Sequence, residues 1–198
     1  KGLREMPYTK TDKRSNYYGI SGVIDVLSLI NINEDNKIVN YLKENEEFNN
    51  IIKDLDDDEY EIIIDYKGMK RPPNDVNGTG NESWDYHERQ ILTYSWLRSK
   101  QEDRKPVAGI IFYLNELVPS IEDLKLIKED IHYHLTDVGD SEKYIKDIEI
   151  IENWNADEEM PKLSEEFKID RSIRIIPIDD EKITDALEKF DDVVEKIE

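Results

Sequence analysis

The segment from Tyr60 to Tyr66 (YEIIIDY) is a nearly unbroken apolar run in a chain whose residues are 37% charged. A short continuous run rich in β-branched residues is typical of a strand that is buried on both faces of a sheet. Such a strand requires neighbouring strands and helices that cover it. The run therefore predicts an α/β fold in which residues 60–66 form a central strand.

Apolar periodicity predicts the elements on either side of this strand. Glycine, proline and asparagine are concentrated in residues 69–83, which predicts a long loop directly after the strand. Strands are predicted over residues 17–30, 60–66, 107–114 and 174–178, and helices over residues 37–55, 84–100, 120–135, 141–153 and 183–197. This order predicts one domain over residues 1–198, with a central mixed β-sheet flanked by helices.

Charge and composition exclude several classes of protein. The formal net charge is −20, from 27 basic and 47 acidic residues, which argues against a protein that coats nucleic acid by charge alone. The absence of cysteine excludes disulfides and cysteine-ligated iron–sulfur clusters. No apolar run approaches the roughly 20 residues of a membrane span, so we expect a cytoplasmic protein without membrane contact. A start at Lys1 is compatible with a fragment that lacks an upstream region.

Three short motifs follow one another along the predicted strands and helix. They are Gly22-x-x-Asp25, Asp65-Tyr66-Lys67 and Gln90-x-x-x-Tyr94. Mg²⁺ and Mn²⁺ prefer oxygen ligands, and one or two carboxylates with water and phosphate form a usual Mg²⁺ site. Asp65 and Lys67 are two apart on a strand and so share a face, which would set an ammonium beside a cation held by Asp25 and Asp65. This set predicts metal-assisted hydrolysis of a phosphodiester.

The third motif predicts a surface that meets the substrate. Gln90 and Tyr94 are four apart and share one face of their helix. Gln90 could orient the attacking water, and Tyr94 could contact the nucleic-acid backbone. Basic side chains nearby are candidate phosphate contacts, and they are Lys70, Arg71 and Arg89.

With these motifs the chain resembles the RecB-type branch of the PD-(D/E)xK nucleases, which includes CRISPR-associated adaptation nucleases. The resemblance covers residues 17–115 through GISGVID, EIIIDYKG, HERQILTYSWL and VAGIIFYLNEL. It implies a restriction-endonuclease-like core and a Mg²⁺- or Mn²⁺-dependent deoxyribonuclease that acts on single-stranded DNA or duplex ends in repair, recombination or defence. It also implies metal binding by Asp25 and Asp65, with the Tyr66 carbonyl as a further ligand, and catalytic assistance from Lys67 and Gln90.

Two departures from that branch leave alternatives open. Many relatives complete the metal site with an upstream His or Glu, and residues 1–16 offer only Glu5 or Asp12. The iron–sulfur cluster of several relatives cannot form here, because the chain has no cysteine. One alternative is a catalytically degenerate nuclease fold that binds DNA or protein. Another is an interaction domain whose acidic faces meet a basic protein partner.

Overall fold

A computed structural model of the chain describes residues 1–6, 17–53, 58–74, 82–101, 105–136, 138 and 142–197. The strands are β1 (Gly2–Glu5), β2 (Tyr17–Ile20), β3 (Val26–Asn31), β4 (Glu59–Lys67), β5 (Ala108–Tyr113) and β6 (Ile173–Pro177). The helices are α1 (Lys37–Glu44), α2 (Glu46–Lys53), α3 (Glu82–Ser99), α4 (Leu114–Leu117), α5 (Ile121–His132), α6 (Ile145–Asn153), α7 (Glu165–Ser172) and α8 (Asp180–Ile197), with a 3-10 turn at Glu142–Tyr144.

Four strands form a mixed sheet in the order β3-β4-β5-β6, and helices flank it. Strand β3 pairs antiparallel with β4, from Val26 opposite Ile64 to Asn31 opposite Glu59. The Val107 amide, just before β5, donates to the Glu61 carbonyl near the start of β4. Helix α3 connects these two strands, as in a parallel crossover unit. The apolar run at residues 60–66 therefore forms an interior strand, as the sequence predicts.

Contacts divide the chain into two compact units. The first comprises Lys1–Asp65, His87–Ile110 and Ile175–Glu198, and the second comprises Tyr66–Tyr86 and Ile111–Arg174. Strands β4, β5 and β6 each contribute residues to both units.

The first unit contains a separate two-stranded sheet and most of helix α3. Strands β1 and β2 pair antiparallel, with Arg4 opposite Tyr18. Helix α8 buries Ile183, Ala186 and Leu187, which lie on one face at the three- and four-residue spacing of an amphipathic helix. Ile183 and Leu187 of the predicted terminal helix therefore lie on its buried face, whereas Phe190 is 36% exposed.

The second unit contains a helical cluster whose buried apolar side chains come from α5, the 3-10 turn, α6, the residue after α6 and α7. Ser120 caps α5 with a reciprocal capping box, and Ser164 caps α7 through its hydroxyl. Such caps satisfy backbone amides that a helix leaves without partners in its first turn. The buried set is Leu124, Ile127, Ile131, Tyr144, Ile151, Trp154 and Phe167.

The structure corrects two of the predicted elements. The helix predicted over residues 37–55 is two helices, because Asn45 ends α1 in an extended conformation and its side chain accepts the Phe48 amide at the start of α2. Asparagine favours such caps over helix interiors. The strand predicted over residues 17–30 is β2 and β3, which belong to different sheets. Of the predicted loop, residues 75–81 lie outside the described residues, and Glu82 and Ser83 begin α3.

None of the helices that the structure describes is long and apolar enough to cross a bilayer.

Candidate functional site

The pairing of β3 with β4 ends one residue short of the two motif carboxylates. The last pair at this end is Val26 opposite Ile64, and a continuation by one residue would set Asp25 opposite Asp65. Residues opposite each other in an antiparallel pair point to the same face, with Cβ atoms about 4.5–5.5 Å apart. Asp65 is 3% exposed, whereas Asp25 is exposed in the bend that precedes β3. The prediction that Asp25 lies inside a strand is therefore wrong by one residue.

An ion pair identifies the face of β4 to which Asp65 belongs. The Glu61 carboxylate accepts two hydrogen bonds from the Arg98 guanidinium of α3, at 2.9 and 2.7 Å. Side chains alternate along a strand, so Asp65, four residues after Glu61, points to the same side as Glu61. Asp65 therefore faces the side of the sheet on which α3 lies. Lys67 is the next residue with that orientation in the same strand.

The spacing along α3 gives the distance from Gln90 to Arg98, which pairs with Glu61 of β4. Gln90 precedes Arg98 by eight residues, which is about 12 Å along a helix. Asp65 follows Glu61 by four residues, which is about 13 Å along a strand. The direction of α3 follows from Gly109 of β5, where an added Cβ would overlap the Ile91 side chain.

The Tyr94 ring joins the first motif to the third. A Cβ atom added to Gly22 would lie 2.6 Å from Cε1 of Tyr94, so only glycine allows this close approach. The Gln90 amide Nε2 donates a 2.7 Å hydrogen bond to the Tyr94 hydroxyl, as expected of residues that share a helix face. The segment that leads to Asp25 therefore packs against the helix that carries Gln90 and Tyr94.

Asp25 and Asp65 are the two carboxylates that the sequence predicts as cation ligands. Among the residues that the structure describes, no group of three or more His, Asp or Glu side chains could hold a metal ion. A hard cation at Asp25 and Asp65 would therefore take its remaining ligands from water, carbonyl oxygens or substrate phosphate. Mg²⁺ sites are often built in this way, because Mg²⁺ keeps several waters and uses one or two carboxylates.

Lys70 and Arg71, two of the predicted phosphate contacts, are buried in the second unit. The Lys70 ammonium pairs with the Asp130 carboxylate, and burial raises the pKa of Asp130 although Lys70 opposes that effect. The Arg71 guanidinium donates to the Ile173 carbonyl at 2.6 Å and lies over the Trp84 ring. Because both cations already have partners inside the second unit, we leave both residues out of the proposed substrate contacts.

By their spacing, Arg89 faces away from β4 and the Tyr66 side chain points to the opposite side of β4 from Asp65. Arg89 is nine residues from Arg98, a half-turn offset that directs it away from the helix face that meets β4. The Tyr66 ring stacks on Phe112 with centroids 5.8 Å apart. The role of the Tyr66 carbonyl as a metal ligand stays a prediction.

Two ion pairs of the first unit were not predicted from the sequence. One joins Glu61 to Arg98. The sequence does contain a sign of this pair, because a Glu within a buried strand requires a partner. The other joins Arg4 to Asp191 of α8, at 2.6 Å. No local pattern could have indicated the second pair, because its partners are 187 residues apart.

The chain was compared with protein-family models, with curated proteins and with solved structures, and none of the three comparisons found a match.

Proposed function

We propose that this chain is a Mg²⁺- or Mn²⁺-dependent deoxyribonuclease of the PD-(D/E)xK type. The observation that carries the proposal is the register of β3 and β4, which ends at Val26 opposite Ile64, one residue before Asp25 and Asp65. Continued by one residue, this register would bring two acidic residues forty positions apart next to each other. The order β3, β4, α3 and β5 around this acidic strand end supports a restriction-endonuclease-like core.

The donor atoms suit a hard divalent cation, because Asp25 and Asp65 both offer carboxylate oxygens. Asp65 is 3% exposed, and a cation bound there would help to offset the cost of burying its carboxylate. Asp25 and Asp65 would hold the ion. When bound, a divalent cation offsets negative charge on the phosphoryl oxygens and favours ionisation of water.

The remaining motif residues bind and orient the reactants. The Lys67 ammonium follows Asp65 on the same strand face and would stabilise the anionic oxygen of the attacking water and the phosphate. The Gln90 amide, held by its hydrogen bond to Tyr94, would orient that water. Hydrolysis forms a bond between the water oxygen and phosphorus and breaks one ester P–O bond. The protons of the water pass to solvent and to the leaving alkoxide.

A nuclease assay with Mg²⁺ or Mn²⁺ on single-stranded and double-stranded DNA tests this proposal. We expect Asp25→Asn, Asp65→Asn and Lys67→Met each to lower activity by at least about 100-fold, because each removes charge at the reacting phosphate. The matched control is Asp147→Asn in the second unit. Asp147 is also buried and accepts two 2.7 Å hydrogen bonds from Ser164, so it tests whether loss of any buried carboxylate lowers activity.

The control should retain wild-type activity per folded molecule. Equal activity in wild type, Asp25→Asn and Asp65→Asn, or equal losses in Asp65→Asn and Asp147→Asn, would contradict the proposal. Activity on RNA in place of DNA would correct the substrate and leave the metal site standing.

A second candidate is a degenerate nuclease fold that binds DNA or protein without cutting. The observation in its favour is that the described residues contain no group of three or more metal-ligating His, Asp or Glu side chains. The net charge of −20 also weakens attraction to phosphate. DNA or protein binding that requires no divalent cation, with no cleavage under any of these conditions, would favour this candidate.

A further inference from the structure

Asp191 joins the two ends of the first unit through one buried carboxylate. It lies on α8, is 3% exposed, and accepts hydrogen bonds from the Arg4 guanidinium at 2.8 and 2.6 Å. The Tyr18 hydroxyl donates a third hydrogen bond to it, at 2.7 Å. A carboxylate with three charge-assisted or hydroxyl donors is held strongly in one orientation.

The hydrogen-bond donors to Asp191 lie on both strands of the N-terminal hairpin. Arg4 lies on β1 and Tyr18 on β2, and the two are opposite each other in the register. An isolated two-stranded hairpin is marginally stable in water, so it needs packing or ion pairs against the rest of the protein. We call this set of three residues, Arg4, Tyr18 and Asp191, the hairpin latch.

The hairpin leads directly to Asp25. Strand β2 ends at Ile20, which is buried, and Gly22 then passes close to the Tyr94 ring. Asp25 comes next, in a bend, and the ladder with β4 begins only at Val26. The position of Asp25 is therefore set from one side by β3 and from the other side by the hairpin.

We propose that Asp191 is a positioning residue, which holds the hairpin through Arg4 and Tyr18 and thereby fixes Asp25 for cation binding. This inference rests on the proposed function, since it concerns the same Asp25 and Asp65 site. Asp191 itself touches neither substrate nor metal. Its expected effect on metal affinity is like that of residues that orient metal ligands without touching the metal. Loss of such residues typically lowers metal affinity by about 10- to 100-fold.

The experiment is calorimetric titration of the full chain with Mn²⁺ alone. We expect Asp191→Asn to weaken Mn²⁺ binding by about 10- to 100-fold. We expect Arg4→Lys to weaken it less, because Lys keeps the charge and one hydrogen bond to Asp191. Hydrogen–deuterium exchange of residues 17–25 should also be faster in Asp191→Asn, because the hairpin has lost its latch.

Ile183→Ala is the control for general loss of stability. Ile183 is a buried residue of the same helix, about 12 Å along its axis from Asp191. Its truncation should lower the midpoint of urea unfolding and leave Mn²⁺ affinity unchanged.

The outcomes separate this inference from the proposed function. If wild type binds Mn²⁺ through Asp25 and Asp65 and Asp191→Asn binds it equally well, the latch has no positioning role and only this inference fails. Equal weakening in Asp191→Asn and Ile183→Ala would also overturn it, because the effect would then be general destabilisation. If wild type binds no Mn²⁺, the proposed function fails together with this inference. If Asp191→Asn is too unstable to titrate, Arg4→Lys decides the question. Wild-type Mn²⁺ affinity in Arg4→Lys, together with faster hydrogen–deuterium exchange at residues 17–25, would refute the positioning role.

Discussion

Replacement of Glu116 by Gln tests the buried ionic network of the second unit. The Glu116 carboxylate accepts hydrogen bonds from Arg171 at 2.7 and 3.2 Å, and the paired side chains are 1% and 2% exposed. It also accepts the Arg71 backbone amide at 2.7 Å. Gln keeps the shape of Glu and can still accept that amide, so the substitution removes mainly the negative charge.

The expected cost follows from the burial of Arg171. Its guanidinium would keep hydrogen bonds to Thr136 at 2.9 Å and to the Val138 carbonyl at 3.4 Å, both of which are neutral. Removal of one partner of a buried ion pair typically costs about 3–5 kcal/mol, because the other charge stays buried without compensation. That loss is a large part of the roughly 5–15 kcal/mol that stabilises an ordinary domain.

Equilibrium urea unfolding followed by circular dichroism would measure this difference. Glu165→Gln serves as the matched control, because Glu165 pairs with Lys168 and is 80% exposed, and we expect it to cost less than about 1 kcal/mol. The double variant Glu116→Leu/Arg171→Met should be more stable than Glu116→Gln, since it buries no unpaired charge. A loss below about 1 kcal/mol for Glu116→Gln would refute the reasoning. A double variant less stable than Glu116→Gln would refute it as well.

Two further predictions concern the region around Asp25. Gly22→Ala should destabilise the protein by about 1–3 kcal/mol in the same urea assay, because its Cβ would lie 2.6 Å from Cε1 of Tyr94, and an unchanged midpoint would show that the ring moves freely. Burial acts to raise the pKa of Asp191, but the hydrogen bonds from Arg4 and Tyr18 outweigh it and hold that pKa below its usual value. The stability that Asp191 contributes should therefore be complete above its unfolded pKa of about 3.9 and be lost as the pH falls through its folded pKa. The stability difference between wild type and Asp191→Asn should shrink across that range, and a constant difference would contradict this.

The elements that the sequence predicts well are those with strong local patterns. Strand β4 has a continuous apolar run, and α3 and α8 have apolar stripes at helical spacing. Strand β1 was missed because four residues at a chain end carry too little pattern. The break between α1 and α2 was missed because the apolar stripe continues across Asn45, although asparagine is itself a cap signal.

The candidate site is only partly predictable from sequence, because local patterns indicate only contacts between residues that are close in the chain. Spacing alone indicates that Gln90 and Tyr94 share a face, and the 2.7 Å hydrogen bond agrees with it. The partners of the Lys70 ammonium and the Arg71 guanidinium are 60 and 102 residues away, so the burial of these cations has no local signal. Exposed and buried cations look alike in a sequence, because the difference lies in side chains that only the fold brings near.

The most direct measurement of the central claim is an anomalous difference map from crystals of this protein grown with Mn²⁺. The account predicts a single strong peak at the end of β4 that is coordinated by carboxylate oxygens of both Asp25 and Asp65. Well-ordered carboxylates with no peak between them, or a peak that touches neither residue, would contradict it.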